Sequence, residues 1–172
     1  MNLHSDDFEI LGLPRQFALD RALLDERWKA LQKQTHPDRF AGEGGVAQRV
    51  AMQWSVRINE AYQRLKHPLK RAAYLCELLG APIRAEDNTA MPAAFLMQQM
   101  EWREALEEAV AADDIDALEA QVTAQKRSML QKCEQLLTSP ENANEAAQIV
   151  RALMFVERFA QDIDRRREQL EQ

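Results

Sequence analysis

Pro37 is the residue that most constrains how this chain can fold. It falls between two long stretches of apolar residues spaced three and four apart. A proline cannot continue a helix, and its ring drives the preceding residue, His36, out of the α region. Helix must therefore end here. The polar stretch that follows, with Gly42, Gly44 and Gly45, turns the chain into the next helical pattern. The product is an exposed tip, His36-Pro37-Asp38, carrying an imidazole, a rigid turn and a carboxylate. Asp38 accepts hydrogen bonds, and His36 offers a donor and an acceptor side by side. Loops held by a rigid helical hairpin are where binding residues usually sit. A catalytic use of the pair is disfavoured. Residues two apart across a proline do not easily hydrogen-bond, and no Ser or Cys nucleophile accompanies them.

The remaining helices follow from the same punctuation. With only 5 Gly and 6 Pro in 172 residues, and Ala, Leu, Glu, Gln and Arg dominant, the expected class is all-α. A short helix over 6–11 is capped by Ser5 or Asp6 and stopped by Gly12 and Pro14. A second starts after Asp20 and runs to Gln34 or Thr35. Its Leu24, Trp28 and Leu31 face the core; Arg21, Lys29 and Lys33 lie opposite with Asp25 among them, and Arg27 nearby. A third spans 47–66, with Ala47, Val50, Ala51, Trp54, Ile58, Ala61, Tyr62 and Leu65 as its core stripe. Antiparallel packing of these two would project the His-Pro-Asp tip from one end.

After Pro68, residues 69–79 form another amphipathic segment ended by Gly80. The stretch 80–92, with Gly80, Pro82, Asp87, Asn88 and Pro92, reads as a linker. Three more helical patterns follow, with breaks at Asp113-Asp114 and Ser139-Pro140. Ile115, Leu118, Val122, Met129, Cys133 and Leu136 make one stripe; Ile149, Leu153, Val156, Ala160 and Ile163 make the next. Short connections imply antiparallel neighbours and hence a three-helix bundle. Arg165, Arg166 and Arg167 read as a solvated helix end whose cations suit the dipole. The expected domains are 1–79, a linker over 80–92, and 93–172.

Lys+Arg 22 against Asp+Glu 28 gives a net charge of -6, which argues against non-specific nucleic-acid binding. Cys76 and Cys133 each fall on an apolar helical stripe, as buried thiols in a reducing compartment would. No CxxC pair suggests zinc. The N-terminus carries Asp6 and Asp7 and no apolar run, so neither a signal nor a transit peptide is expected. No stretch approaches the length of a membrane span. A cytoplasmic location is expected.

One helix carries an excess of apolar surface. At about 100° per residue, Phe95, Trp102, Leu106 and Ala109 cluster on one side, the expected core face. Leu96, Met97 and Met100 fall roughly opposite, beside Glu101, Glu104 and Glu108. A bundle helix buries one broad face well, so the second stripe needs another partner. Flexible Leu and Met rimmed by carboxylates suit a protein-binding surface. Phe155, about a third of a turn off the last helix's main stripe, is placed to join it.

Short helix, long helix, His-Pro-Asp tip, long helix resembles the J-domain, the module that stimulates ATP hydrolysis by DnaK-type chaperones. The residues that carry this are Asp6 to Pro14, the tip itself, and Ile58 to Leu65 followed by His67-Pro68. A J-domain followed by an acidic bundle opening on Phe95-Leu96-Met97 and Glu101-x-Arg103-Glu104 resembles the iron–sulfur co-chaperone family HscB, over nearly the whole chain. The resemblance implies an L-shaped arrangement of J-domain and three-helix bundle. It implies two partners: a specialised DnaK-type ATPase, HscA, and the iron–sulfur scaffold protein, IscU. By correspondence His36, Pro37 and Asp38, with Arg27, Lys29 and Lys33, would face the ATPase. Leu96, Met97, Met100, Glu101, Glu104, Glu108 and Phe155 would bind the scaffold. The protein itself would be no enzyme and would need neither metal nor nucleotide. Many J-domains carry an aromatic before the tripeptide where this chain has Thr35. Eukaryotic relatives add a cysteine-rich zinc segment, so a bacterial form is implied. A general J-domain co-chaperone for unfolded clients is the rival reading; the missing Gly/Phe-rich linker and cysteine-rich module count against it.

Overall fold

The computed structural model describes residues 2–84 and 91–172, and among these the regular structure is helical throughout. Helix α1, Asp7–Leu11, is capped by the Asp6 carboxylate, which accepts from the Glu9 amide. It stops at Gly12, whose φ of 65° is left-handed. There the Gly12 amide bonds Glu9 and the Leu13 amide bonds Phe8, the paired closure of a Schellman end. Helix α2, Arg21–Thr35, begins at Asp20, whose side chain takes the Ala22 and Leu23 amides. Helix α3 spans Gly45–Lys66 and α4 spans Pro68–Leu78, the latter closed by Gly80 in the same manner as α1. Helices α5, α6 and α7 are Ala93–Glu108, Ala112–Leu136 and Ala143–Glu171.

The chain divides into two compact units, Met1–Leu75 and Cys76–Gln172. In the first, α2 and α3 pack together and α1 closes one end of the pair. Phe8, Ile10, Leu11, Leu24, Ile58 and Leu65 form its centre. Asp7 is fully buried there, between the Arg57 and Arg64 guanidiniums at 2.8 Å each. Arg57 also holds the Leu3 and Ser5 carbonyls, tying down the segment before α1. A buried carboxylate stripped of its partners would cost several kcal/mol (about 3–5), so this cluster fixes α1 against α3.

The core thins toward the His-Pro-Asp end. Trp28 and Leu31 are only half-buried, as are Ala47 and Trp54. Trp28 stacks on Tyr62 with centroids 4.3 Å apart. Val50, expected in the core, is 46% exposed.

In the second unit, Trp102, Ile115, Leu118, Val122, Val156, Phe159 and Ile163 make the core, and Trp102 stacks on Phe159. Three expectations need correcting. The break between the first two bundle helices lies at residues 109–111, not at Asp113-Asp114, which sit in the first turn of α6. The Asp114 carboxylate accepts from the Val110 and Ala111 amides, so these acids start the helix. Ile149 is half-buried, and Val150 and Phe159 carry the α7 core in its place. The arginine run is not free in solvent. Arg166 donates to the Ala109 carbonyl at the end of α5, and Arg167 pairs with Asp116 and Glu119 of α6.

Of the expected linker 80–92, residues 85–90 lie outside the described residues. Ala81 and Ile83 are buried, and the Ile83 carbonyl accepts from Arg151 at 2.8 Å. Both thiols are buried as expected; burial pushes Cys76 up to about 11 and Cys133 up to about 12. A thiol whose pKa rises on folding contributes stability that is full below its unfolded value of about 8.5. That contribution is lost as pH rises toward the folded values. Two results are therefore expected. Iodoacetamide at about pH 8.5 should label neither cysteine in the folded chain and both in denaturant. The melting temperature should fall as pH is raised above about 9, and Cys133→Ala should flatten that decline. Rapid labelling of the native chain would contradict this.

Candidate functional site

The His-Pro-Asp tip is built by three local devices. Thr35 ends α2 with its hydroxyl donated to the Leu31 carbonyl at 2.9 Å. A single 3-10 turn, Pro37–Phe40, follows and packs on α3. Arg39 reaches back to the Lys33 carbonyl at 3.2 Å, lashing the turn to α2. Thr35 is thus half-buried and self-satisfied where many J-domains place an aromatic.

His36 and Asp38 do interact across the proline, contrary to the sequence expectation. The Asp38 amide donates to His36 Nδ1 at 3.3 Å because the 3-10 turn folds that amide back over the imidazole. The same Nδ1 lies 3.5 Å from the Asp38 carboxylate, so the imidazole and the carboxylate are held together at the tip. The side chains are 57% and 92% exposed. An imidazole, a rigid proline ring and a carboxylate stand together at the exposed tip.

Lys29 and Lys33, four residues apart, share the exposed face of α2 that leads to the tip. Arg27 is exposed as well and extends toward the end of α1. Its guanidinium lies over Gly12, with Nη1 3.5 Å from where a Cβ would stand, beside the carbonyl end of α1. Arg21 is likewise occupied, bonding Asp25 and Tyr62. The Tyr62 hydroxyl bond, with Arg21 second, holds the Asp25 carboxyl below its usual range.

In the second unit α5 turns its two stripes as the spacing requires. Trp102 and Ala109 are buried, with Phe95 and Leu106 packed against the same core. Leu96, Met97 and Met100 are 49%, 63% and 70% exposed. Glu101, Glu104 and Glu108 are exposed beside them and form no ion pair among the described residues. Phe155 is half-buried on α7, under the Arg158 guanidinium at 5.6 Å from the ring centroid. Arg158 was not singled out from the sequence, although its i,i+3 spacing from Phe155 on one helix is the signal that could have found it. Gln99 and Arg103 of α5 line a cavity with Phe155, and these two α5 residues follow Leu96 and Met100 by three on the helix.

Residues 91–164 match the family described as the HSCB C-terminal oligomerisation domain. A relative named co-chaperone protein HscB homolog, from Burkholderia multivorans, is 50% identical, covering 99% of each chain. Another, from Paraburkholderia xenovorans, is 51% identical over 99% of this chain and 98% of its own. The chain belongs to the HscB co-chaperone family. Among solved HscB structures, that of Vibrio cholerae is 38% identical with a TM-score of 0.82, covering 96% of this chain and 99% of the other. The human HscB co-chaperone is 26% identical with a TM-score of 0.89, covering 95% of this chain and 83% of the other. The all-helical fold is therefore the HscB fold, and the match extends through both units. No helix among the described residues is long and apolar enough to cross a membrane.

Proposed function

We propose that this HscB-family chain is an adaptor that stimulates ATP hydrolysis by a DnaK-type chaperone of the HscA kind and delivers to it an iron–sulfur scaffold protein of the IscU kind. Residues 1–79 act as the J-domain, 80–92 as linker and 93–172 as the scaffold-binding bundle. His36, Pro37 and Asp38, with Lys29, Lys33 and Arg27, face the ATPase. Leu96, Met97, Met100, Glu101, Glu104, Glu108 and Phe155 hold the scaffold. The adaptor works in the cytoplasm, turns over no substrate itself and needs no cofactor of its own. Hydrolysis is coupled to a tighter grip of the chaperone on the scaffold, after which the adaptor leaves and cluster transfer proceeds.

The observation that carries this reading is the exposure of the Leu96, Met97 and Met100 stripe in a chain that also presents an exposed His-Pro-Asp tip. Apolar side chains of this size held in water are uncommon as a contiguous group unless another protein covers them. Affinity capture from the source cytosol tests it. The immobilised chain should retain one DnaK-type ATPase and one folded scaffold, and prefer that scaffold to denatured protein. The ATPase should be captured more slowly at about 1 M than at about 0.1 M salt, as the Debye length shrinks from about 10 Å to about 3 Å. Retention of denatured clients alone would support a general co-chaperone instead.

A further inference from the structure

The cavity beside Phe155 has a chemistry that the Leu/Met stripe does not explain. It is about 390 Å³ in volume, between α5 and α7, and its walls include Gln99, Arg103, Phe155, Arg158, Asp162 and Arg165. Phe155, Arg158, Asp162 and Arg165 follow one another at helical spacing along one face of α7. Gln99 and Arg103 are one turn apart on α5. Three guanidiniums thus surround one carboxylate, in a chain whose net charge is -6. Asp162 is engaged by Arg165 at 3.3 Å. Arg103 and Arg158 have no acidic partner among the described residues, and Arg158 rests on the Phe155 ring. Gln99 adds a second, independent sign. Its Nε2 is shut off from water without a hydrogen-bond partner among the described residues. A shielded amide donor left unpaired costs roughly 1–3 kcal/mol, which a turn of the Gln99 side chain toward an acceptor in the cavity would recover.

The charged groups without a partner in the cavity, Arg103 and Arg158, are both donors, so they favour an acceptor as occupant, and a planar one suits guanidinium forks best. We propose that the cavity takes an Asp or Glu carboxylate of the same folded scaffold that docks on Leu96, Met97 and Met100. This rests on the reading of that stripe as the scaffold surface. Continuity favours it: Arg103 is three residues from Met100 and seven from Leu96, on the edge of the stripe. The interface then has two rims of opposite sign. Glu101, Glu104 and Glu108 border the apolar stripe on one side, and Arg103 and Arg158 border it on the other. Opposed rims fix which way round the partner sits, because the reversed pose sets like charges together.

The test measures scaffold affinity by calorimetry for the wild type and for the Arg103→Gln/Arg158→Gln double variant, at about 50 mM and about 300 mM salt. The double variant is expected to bind about tenfold or more weakly and to lose part of the salt dependence, with circular dichroism and melting unchanged. Arg158→Glu is expected to weaken binding further. Changing the scaffold's acidic residues singly to Lys should then find one that restores affinity to Arg158→Glu. Wild-type affinity in the double variant, when Leu96→Ala/Met97→Ala abolishes binding, would overturn the proposal and leave the stripe intact. Failure of the wild type to bind scaffold would overturn both. Inorganic phosphate is the remaining probe. If it raises the melting temperature of the wild type but not of the double variant, while scaffold affinity is the same for both, the cavity is a free-anion site and the proposal fails.

Discussion

Replacing Leu96, Met97 and Phe155 together by alanine is expected to weaken scaffold binding about a hundredfold while leaving the fold in place. Burying a Leu or Met side chain is worth roughly 1.5–3 kcal/mol, and less when the contact is partial. Three truncations at a docking surface should therefore remove a few kcal/mol, at about 1.4 kcal/mol per decade of affinity. Leu96 and Met97 are already 49% and 63% exposed, so truncating them opens no cavity. Phe155 is half-buried and will carry whatever small stability cost appears. Trp102→Ala is the contrast, since that ring is 3% exposed and stacked on Phe159. Its loss should cost about 3–5 kcal/mol of folding stability. Binding isotherms and thermal melts on both variants separate interface from core. A triple variant that unfolds, or that binds normally, would contradict the assignment of the stripe.

The second large effect is expected at the tip. His36→Gln should bring stimulated ATP turnover down to the chaperone's basal rate with the melting curve unmoved. Exposed substitutions away from packing usually cost within about 0.5 kcal/mol, and the His36 side chain is 57% exposed. A Gln amide on its flexible stem cannot reproduce the rigid ring that sets Nδ1 on the Asp38 amide. Stimulation that survives the substitution would remove the tip from the contact.

Helix boundaries were readable wherever one residue acts alone. Asp6, Asp20, Gly12, Gly80 and Pro37 each start or stop a helix through their own side chain or φ, and each does so where expected. The two stripes of α5 were readable because angular spacing is a local property. What sequence could not give depends on distant partners. The 109–111 break has no Gly or Pro; Asp114 and, from the far end of α7, Arg166 close it. Val50 has the right spacing for a core residue, but periodicity says which way a side chain turns and not whether a neighbour reaches it. Arg27 and Lys29 are two residues apart and both exposed, yet the Arg27 guanidinium extends over Gly12 at the end of α1, a neighbour that spacing alone does not reveal. The guanidinium cavity beside Phe155 exists only because α5 and α7 bring Gln99 and Arg103 to Arg158.

The central claim is that one chain couples scaffold holding to ATPase stimulation through two separate surfaces. Steady-state ATP turnover by the partner chaperone tests it most directly, with scaffold titrated in the presence of the wild type, His36→Gln, or the Leu96, Met97 and Phe155 triple variant. The account predicts that the wild type and scaffold together raise turnover beyond the sum of their separate effects. The triple variant should stimulate alone but lose that synergy, and His36→Gln should bind scaffold yet stimulate in neither case. Synergy that persists in the triple variant, or that appears with His36→Gln, would contradict it.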